Sequence, residues 1–293
     1  MKKIFISLSL LIYSVNTIAF NGIEDYETTR TKAMAGAGVA SILLNEAPLF
    51  NPASIVFFNK SSLYYQKDSN KLKKTSSTRT SDFKTEQNEL VLFTDTSAAF
   101  KGGLTYQYQN EQAGKRSRIS TSLARNLGKK SAIGLTYRYT QEDSAVIDDN
   151  YSQIVLGSTF IHDKSLTFGF VIVDPAQKVS EYFRYTAGVQ YSLKDFINLI
   201  IDVGSGDTHN YEKESFTKWS LQLQSFERFF LRYGRFHDQL TNRKGTGSGI
   251  SWVGPRFSLD FAYKVSELIS QKTDIILTDE QIVESSLGLT VLF

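Results

Sequence analysis

The sequence predicts an all-β protein: a fourteen-stranded antiparallel transmembrane β-barrel with an N-terminal hatch or plug segment in its lumen. Three observations lead to this fold class. Apolar and polar residues alternate with a period of two in successive segments beyond residue 60. Short and long connections between these segments take turns along the chain. The chain begins with a secretory-type leader, and no later apolar run is long enough to cross a membrane as a helix.

The first nineteen residues are predicted to form a cleaved signal peptide. Lys2 and Lys3 precede the apolar stretch 4–15, and the run 17–19 ends on Ala19, with small residues where a signal peptidase cuts. A retained anchor is the alternative, but the apolar stretch is well short of the roughly 20 residues that span hydrocarbon. The predicted organisation is a signal peptide at 1–19, the N-terminal segment at 20–60, and the barrel at 61–293.

The composition suits a barrel better than a helical membrane protein or a nucleic-acid-binding protein. The chain has 21 Phe and 15 Tyr, yet its mean hydropathy is slightly negative. Without Lys2 and Lys3, 31 of the 33 basic residues remain against 30 acidic ones. This balance gives no electrostatic reason to expect nucleic acid as a partner.

The alternation assigns the two faces of each predicted strand. In 133–139 the odd positions are apolar and the even ones are not, and the same rule holds in 183–191, 218–224 and 257–264. A Lys or Arg that faces the bilayer midplane costs about 2 to 4 kcal/mol. The cations on the polar faces should therefore point into the lumen: Arg138, Arg184, Lys218 and Lys264.

The rhythm of the connections predicts the cellular location. Outer-membrane barrels have short periplasmic turns and longer outer loops, whereas the connections of a soluble β-sandwich follow no such order. We therefore expect a protein of the bacterial outer membrane with both mature termini in the periplasm, surrounded by lipid. The predicted short turns are 95–99, 128–130, 162–164, 193–195, 225–227 and 254–255, and the long connections are 69–86, 111–116, 142–150, 174–181, 205–214, 237–242 and 265–282.

The C-terminal run 286–293 alternates up to the last residue, Phe293. It resembles the C-terminal β-signal of bacterial outer-membrane barrels, in which a terminal Phe follows a Gly five positions earlier. Gly288, Val291 and Phe293 match that pattern. The resemblance implies that the outer-membrane barrel assembly machinery is a partner during insertion.

The N-terminal segment contains two motifs of small and turn-forming residues. Residues 33–40 read AMAGAGVA, and residues 45–55 read NEAPLFNPASI. The small residues allow close packing against an inner wall, and Asn51-Pro52 favours a turn. A dinucleotide-binding loop is excluded, because its third Gly would fall at Ser41 and no βαβ unit is present.

These motifs resemble the N-terminal hatch of the FadL-type outer-membrane transporters, which carry long-chain fatty acids and other hydrophobic compounds through a fourteen-stranded barrel. The resemblance implies passive uptake of a hydrophobic small-molecule ligand past the hatch. PorV-like components of type IX secretion share the hatch pattern, so a non-transporting scaffold or secretion component is the alternative. The matching positions are Met34, Gly36, Ala37, Gly38, Val39, Ala40, Leu49, Phe50, Asn51, Pro52 and Ala53.

Several residues are candidates for ligand contact. Leu49 and Phe50 are apolar candidates, and three predicted lumen cations suit a carboxylate: Arg138, Arg184 and Arg232. Alternatively, carboxylates inside the barrel neutralise these cations: Glu24, Asp25, Asp202 and Asp260. Apolar residues of the last outer loop either capture ligand or extend the last two strands: Leu268, Ile269, Ile275, Ile276 and Leu277.

The wall and the loops supply further expectations. Gly102 and Gly103 could allow a kink or gap in the wall. The three His residues, at 162, 209 and 237, form no recognisable catalytic or metal-binding motif, so we expect no enzyme, metal or cofactor. The segment in the lumen argues against an open general porin. We expect a monomer.

Overall fold

The computed structural model describes residue 23 and residues 25–42, 46–76, 79–82, 86–111, 113–144, 147–179, 182–194, 196–206, 214–269 and 279–293. The predicted signal peptide, Glu24, His209 and the apolar triplet 275–277 lie outside the described residues.

The described strands form one antiparallel sheet in which nearly all strands pair with their neighbours in sequence. Its strands are β1 Ser62–Ser76, β2 Arg79–Asp82, β3 Glu86–Asp95, β4 Lys101–Glu111, β5 Gly114–Asn126, β6 Ser131–Ser144, β7 Asp148–Ile161, β8 Leu166–Val173, β9 Arg184–Leu193, β10 Ile197–Ser205, β11 Ser215–Ser225, β12 Phe229–Asp238, β13 Arg243–Val253, β14 Phe257–Leu268 and β15 Asp279–Leu292.

The sheet closes into a barrel because the first and last strands pair. β15 runs antiparallel to β1 from Ser62 opposite Leu292 to Thr75 opposite Asp279. The short strand β2 pairs only with the end of β1, beyond the part of β1 that pairs with β3. β2 and β3 thus occupy one place in the wall, and the predicted fourteen-stranded antiparallel barrel is confirmed.

Strands extend further into the predicted long connections than the alternation indicated. Residues 69–86 were expected to form one outer loop, but β1 continues to Ser76 and β2 pairs with it. Likewise, β4 ends at Glu111 and β5 begins at Gly114, and these two residues pair within the expected connection 111–116. Backbone pairing continues where neither face needs to be apolar, so the alternation ends before the strands do.

The two faces of the wall differ as predicted. On β6, Ile133, Leu135 and Tyr137 are exposed outward, whereas Thr136 and Arg138 are buried. Lys264 is also buried, and Arg184 and Lys218 line an internal cavity. The parity rule therefore placed the four expected lumen cations on the correct face.

The N-terminal segment forms short helices that are almost wholly buried. They are α1 Thr29–Ala33, α2 Ala47–Phe50 and a 3₁₀ helix Pro52–Phe57. The Thr28 hydroxyl caps α1 by accepting from the Thr31 amide at 3.2 Å, and Gly36, at φ 80°, follows the end of that helix. Pro48 and Pro52 stand in the first turns of the other two helices, where no amide donor is needed.

Contacts place this segment against inward-facing residues around the wall. Apolar clusters join Ile55 to Ala124 and Ala132, Leu49 to Tyr64 and Leu90, Met34 to Ile200, and Val39 to Val171. In the part of the chain that the structure describes, no helix is long and apolar enough to span a membrane.

Glycines in the wall mark where the segment approaches most closely. A Cβ at Gly134 would collide with the backbone of Pro52 and Ala53, and one at Gly247 with the Lys32 carbonyl. On the same strand, a Cβ at Gly249 would lie 2.6 Å from the Ala33 Cβ. Other wall glycines that face the segment are Gly103, Gly157, Gly169, Gly188, Gly234 and Gly288.

Candidate binding cavity in the lumen

A cavity of about 120 Å³ lies between the N-terminal segment and the inner wall. It extends to Asp238 and Thr241, at the connection between β12 and β13. Part of its lining is apolar: Val39, Leu49, Phe50, Val171, Phe216 and Phe236. The rest is strongly charged, so the cavity suits a molecule with one polar end and an apolar remainder.

Three guanidinium groups from three strands of the wall line the cavity. Arg118 comes from β5, Arg138 from β6 and Arg184 from β9. The Arg138 Nη2 donates to the Leu49 carbonyl at 3.1 Å, which ties this cation to α2. Arg118 Nε donates to Thr140 Oγ1 at 2.9 Å. These bonds hold the planar groups in place beside the cavity.

Only one carboxylate of the described residues contacts this cluster directly. Asp25 Oδ1 lies 3.5 Å from Arg118 Nη1, and Asp25 Oδ2 lies 3.6 Å from Arg184 Nη1. Several guanidinium donors remain buried without a hydrogen-bond partner among the described residues: Arg118 Nη2, Arg184 Nε and Arg184 Nη2. Buried donors usually find partners. The cluster therefore has unused capacity for an oxyanion.

The pKa of Asp25 reflects this surplus of positive charge. Burial raises the pKa of the carboxyl, but Arg184, Arg118, Arg116 and Arg138 together hold it well below its usual range. Asp25 is therefore ionised at neutral pH and acts as the internal counter-ion of the cluster.

A second group of charges on the opposite side is internally paired. Glu27 Oε2 lies 2.7 Å from Lys264 Nζ, and Glu27 Oε1 lies 4.0 Å from Lys218 Nζ. Lys32 pairs with Glu284 and lies 3.4 Å from Asp68. These charges join the N-terminal segment to β1, β11, β14 and β15 and carry a structural role.

Polar contacts anchor both motifs of the N-terminal segment to the wall. Asp202 Oδ2 accepts from the amides of Gly38 and Val39 at 2.7 and 3.0 Å. The Asn51 Nδ2 lies 2.8 Å from the Val39 carbonyl and 3.0 Å from both the Ser158 carbonyl and Thr159 Oγ1. One amide side chain thus joins the two motifs to β7.

The predicted site residues separate into groups. Leu49, Phe50, Arg138 and Arg184 all line the cavity, together with Gly36. The motif residues Met34, Pro52 and Ala53 pack against the wall instead. Arg232 does not line this cavity: it bonds to Gln222 at 2.7 Å and to Ser251, and it lies 3.8 Å from Asp260.

The alternative prediction, that internal carboxylates neutralise these cations, holds for some of them. Asp260 forms an ion pair with Arg232 and also accepts a hydrogen bond from Arg30 Nε at 2.9 Å. Asp202 binds backbone amides rather than a guanidinium group. Asp25 has two cations beside it and one negative charge, so the Arg118 and Arg184 pair is only partly neutralised.

Gly102 and Gly103 do not interrupt the wall in the described structure. β4 pairs with β3 and with β5 through both residues. A Cβ at Gly103 would lie 2.8 Å from Pro48 Cγ, so this glycine admits α2 to the wall. The gap expected here is absent, because the close packing of Pro48 accounts for the small residue without any loss of pairing.

The C-terminal motif lies on the closing strand. Gly288 faces Tyr64 and Thr29 in the interior, and Val291 is exposed on the outer face. The Phe293 ring stacks on Phe93 with 6.1 Å between centroids. These positions complete the seam between β15 and β1, and recognition by the assembly machinery stays a prediction.

Arg118 is the main cavity residue that the sequence reasoning missed. It follows the same parity as Ser120 and Ser122 on β5, which are also buried. Only two outward positions of that strand, Ile119 and Leu123, are large apolar residues. The alternation there is weak, but the two serines and Arg118 on one parity were a usable signal.

Comparison with known proteins gives the fold. No protein-family model and no curated protein matches this chain. The toluene transporter TodX of Pseudomonas putida matches with a TM-score of 0.71 at 9% identity, over 93% of this chain and 99% of its own. The toluene transporter TbuX of Ralstonia pickettii matches with a TM-score of 0.67 at 11% identity, over 92% of this chain and 99% of its own. A FadL homologue of Pseudomonas aeruginosa matches with a TM-score of 0.61 at 11% identity, over 90% of this chain and 98% of its own. The chain therefore has the fold of the FadL-type outer-membrane transporters, and the resemblance found in residues 34–53 is confirmed at the level of the fold.

Proposed function

We propose that this protein is a passive outer-membrane channel for hydrophobic small molecules that carry a carboxylate, such as long-chain fatty acids. The observation that carries the proposal is the cavity in which Arg118 and Arg184 hold unpartnered buried donors beside an apolar lining. The fold shared with transporters of hydrophobic compounds supports the same function at a coarser level.

The chemistry of the cavity favours an anionic head over a plain hydrocarbon. A guanidinium group offers parallel N–H donors that match a carboxylate, and such charge-assisted bonds are the strong ones. A hydrocarbon would leave the donors of Arg184 buried and unpaired, which costs about 1 to 3 kcal/mol for such a group. The carboxylate of a fatty acid can therefore accept hydrogen bonds from these donors, whereas toluene cannot.

The size of the cavity indicates how much of the ligand it holds. An apolar cavity of about 150 Å³ in another protein takes up benzene. A volume of about 120 Å³ thus accepts a carboxylate and the first few carbons. The rest of the chain would follow the apolar side chains towards the connection between β12 and β13.

We propose that the N-terminal segment acts as the hatch of this channel. Passage requires the segment to shift, because its helices are buried against the wall and two residues hold it by hydrogen bonds: Asn51 of the segment and Asp202 of β10. Transport is then a downhill movement of ligand that needs no energy source in the barrel itself. In this arrangement the long connections face outward and the short turns face the periplasm.

Uptake of labelled oleate into liposomes tests the proposal. The mature chain should raise uptake above that of empty vesicles, and Arg184→Gln should lower it about tenfold or more, since a charge-assisted bond contributes about 1.5 to 3 kcal/mol. Arg228→Gln, in the turn between β11 and β12, is the matched control and should leave uptake unchanged.

A neutral ligand of the same length separates the roles of head and chain. Binding of oleyl alcohol should be weak in the parent protein and should change little in Arg184→Gln. Uptake no greater than that of empty vesicles, with no change on deletion of residues 20–60, would instead support the non-transporting scaffold.

A further inference from the structure

A polar patch interrupts the apolar outer face of the barrel on three neighbouring strands. We define the outer patch as Thr217 on β11, Arg235 and His237 on β12, and Lys244, Thr246 and Ser248 on β13. Arg235 and His237 are exposed, whereas the alternate positions Gly234 and Phe236 are buried, so both side chains point away from the lumen.

The register brings the nitrogen-bearing side chains of the outer patch together. His237 lies directly opposite Lys244 and opposite Thr217, and Arg235 lies opposite Thr246. Residues directly opposite each other on one face have Cβ atoms about 4.5 to 5.5 Å apart, and diagonal neighbours about 7 to 8 Å. A single tetrahedral oxyanion can therefore reach Arg235, His237 and Lys244 at once.

Apolar side chains flank the outer patch on both sides. Trp219 lies opposite Arg235 on β11, and its ring makes an edge contact with Tyr233 at 5.8 Å. On the other side, Tyr263 and Val265 of β14 lie opposite Ser248 and Thr246. Arg235 therefore stands at the edge of the lipid-facing band, beside the aromatic residues that mark a membrane interface.

Few carboxylates lie beside the outer patch among the described residues. Within the patch, Lys244 has Glu267 at 3.4 Å. No carboxylate of the described residues pairs with Arg235 or His237. An Arg beside acyl chains is costly without a counter-charge. An anionic group of the surrounding lipid can supply that counter-charge to Arg235.

We propose that the outer patch binds the phosphomonoester headgroup of a membrane lipid. A phosphomonoester carries more negative charge than a phosphodiester and offers three terminal oxygens to the donors of the outer patch. Arg235 would form the two-pronged contact, Lys244 would add a second positive charge, and the His237 ring and the threonine hydroxyls would donate to the remaining oxygens. The acyl chains would then lie against Trp219, Tyr233 and Ile250.

Native mass spectrometry of the full mature protein in detergent tests this site. Phosphatidic acid, phosphatidylglycerol and phosphatidylcholine with identical acyl chains serve as probes. Phosphatidic acid should stay bound at least tenfold more often than the other two. The double substitution Arg235→Gln with Lys244→Gln should abolish that preference, whereas Lys115→Gln, on the outer face of β5, should preserve it.

Three further outcomes decide the matter. Equal retention of the three lipids, or the same loss in Lys115→Gln, would overturn the proposal. Competition by inorganic phosphate at equal concentration would show a free-phosphate site and not a lipid site. The heat-dependent mobility of the variants on a gel confirms that the barrel is intact, and oleate uptake should not change, since the cavity lies on the other face of the wall.

Discussion

At the scale of single residues, Asp25 occupies the position that the proposed ligand head requires. Its side chain is 31% exposed, while those of Arg118 and Arg184 are 3% and 12% exposed. Its contacts of 3.5 and 3.6 Å are longer than good charge-assisted bonds, which measure about 2.7 to 2.9 Å. A ligand carboxylate with better geometry should therefore displace Asp25 from the cluster.

Replacing Asp25 should strengthen ligand binding. In Asp25→Asn the competing charge is gone, so oleate affinity should rise about tenfold, which corresponds to about 1.4 kcal/mol. Affinity for oleyl alcohol should stay the same, because it has no charge to gain. Tryptophan fluorescence or calorimetric titration in detergent measures both. Weaker oleate binding in Asp25→Asn would show that Asp25 positions the cluster rather than competing with the ligand.

The pH dependence follows from the lowered pKa of Asp25. A carboxyl whose folded pKa is depressed stabilises the fold above its unfolded pKa, near 3.9, and loses that contribution only as pH falls through the folded value. Competition by Asp25 thus persists wherever oleate is ionised. The gain in affinity of Asp25→Asn should be constant from pH 6 to 8. A gain that disappears within this range would mean that Asp25 titrates near neutrality.

The residue scale also shows what parity can and cannot predict. Parity placed Arg138 and Arg184 in the lumen, and both line the cavity. It placed Arg232 there equally well, yet that residue lies beside Asp260 and Arg30. Alternation gives the face of a strand but not the height or the angular position in the barrel. The grouping of cations depends on the register between strands, which a single sequence does not contain.

At the scale of elements, the N-terminal segment packs closely against the wall because the wall has glycines at the points of contact. Gly134 and Gly247 sit where the backbone of the segment touches the wall. The glycines of β13 were a sequence signal for this contact, because three of them share the inward parity in 244–253. The partner residues were not predictable, since the short helices of the segment take their direction from hydrogen bonds to Asp202, Ser258 and Thr159.

A side chain at Gly247 should displace the N-terminal segment. In Gly247→Val the new atoms would collide with the backbone of Lys32 and Ala33, and such overpacking costs about 1 to 3 kcal/mol. We expect openings in a planar bilayer that the parent protein lacks, with conductance that rises by an order of magnitude or more. Ser248→Val, one residue further on and outward-facing, is the matched control.

The outcome of this substitution has a clear reading. Unchanged conductance in Gly247→Val, with the variant still folded, would mean that the segment yields locally and does not control passage. Raised conductance in both variants would indicate a weakened wall instead of a displaced segment.

At the scale of the whole molecule, the barrel is apolar outside and charged inside. The charges of the interior pair across the gap between segment and wall, as in Arg30 with Asp260 and Lys264 with Glu27. The outside carries leucine, phenylalanine and tyrosine at alternate positions of nearly every strand. This arrangement is the inverse of a water-soluble domain and requires lipid around the wall.

The fold class, the strand number and the facing of the wall were thus accessible from the alternation, the order of short and long connections, and the leader. The ends of the strands could not be predicted, because alternation indicates only where a strand contacts lipid. Backbone pairing between strands continues beyond the lipid into water. β1, which ends at Ser76 instead of near residue 69, shows the difference most clearly.

A charge placed on the outer face tests the membrane assignment of the whole barrel. Leu135 on β6 is 42% exposed and lies among outward apolar neighbours, whereas Leu127 in the turn before β6 is 64% exposed. Leu135→Arg should lower the free energy of unfolding in lipid vesicles by about 2 to 4 kcal/mol, since the charge must enter hydrocarbon. Leu127→Arg should change it by about 1 kcal/mol or less, because the turn lies at the interface.

Urea titration followed by tryptophan fluorescence and by gel mobility measures both variants. In a water-facing barrel the two substitutions would change the free energy of unfolding by similar amounts, because water would solvate either arginine. The more exposed site, Leu127, would then be only slightly more tolerant than Leu135. The difference between Leu135→Arg and Leu127→Arg therefore reports the solvent of the outer face directly. Equal stabilities in vesicles, together with a monodisperse protein in buffer without detergent, would contradict both the membrane location and the channel that depends on it.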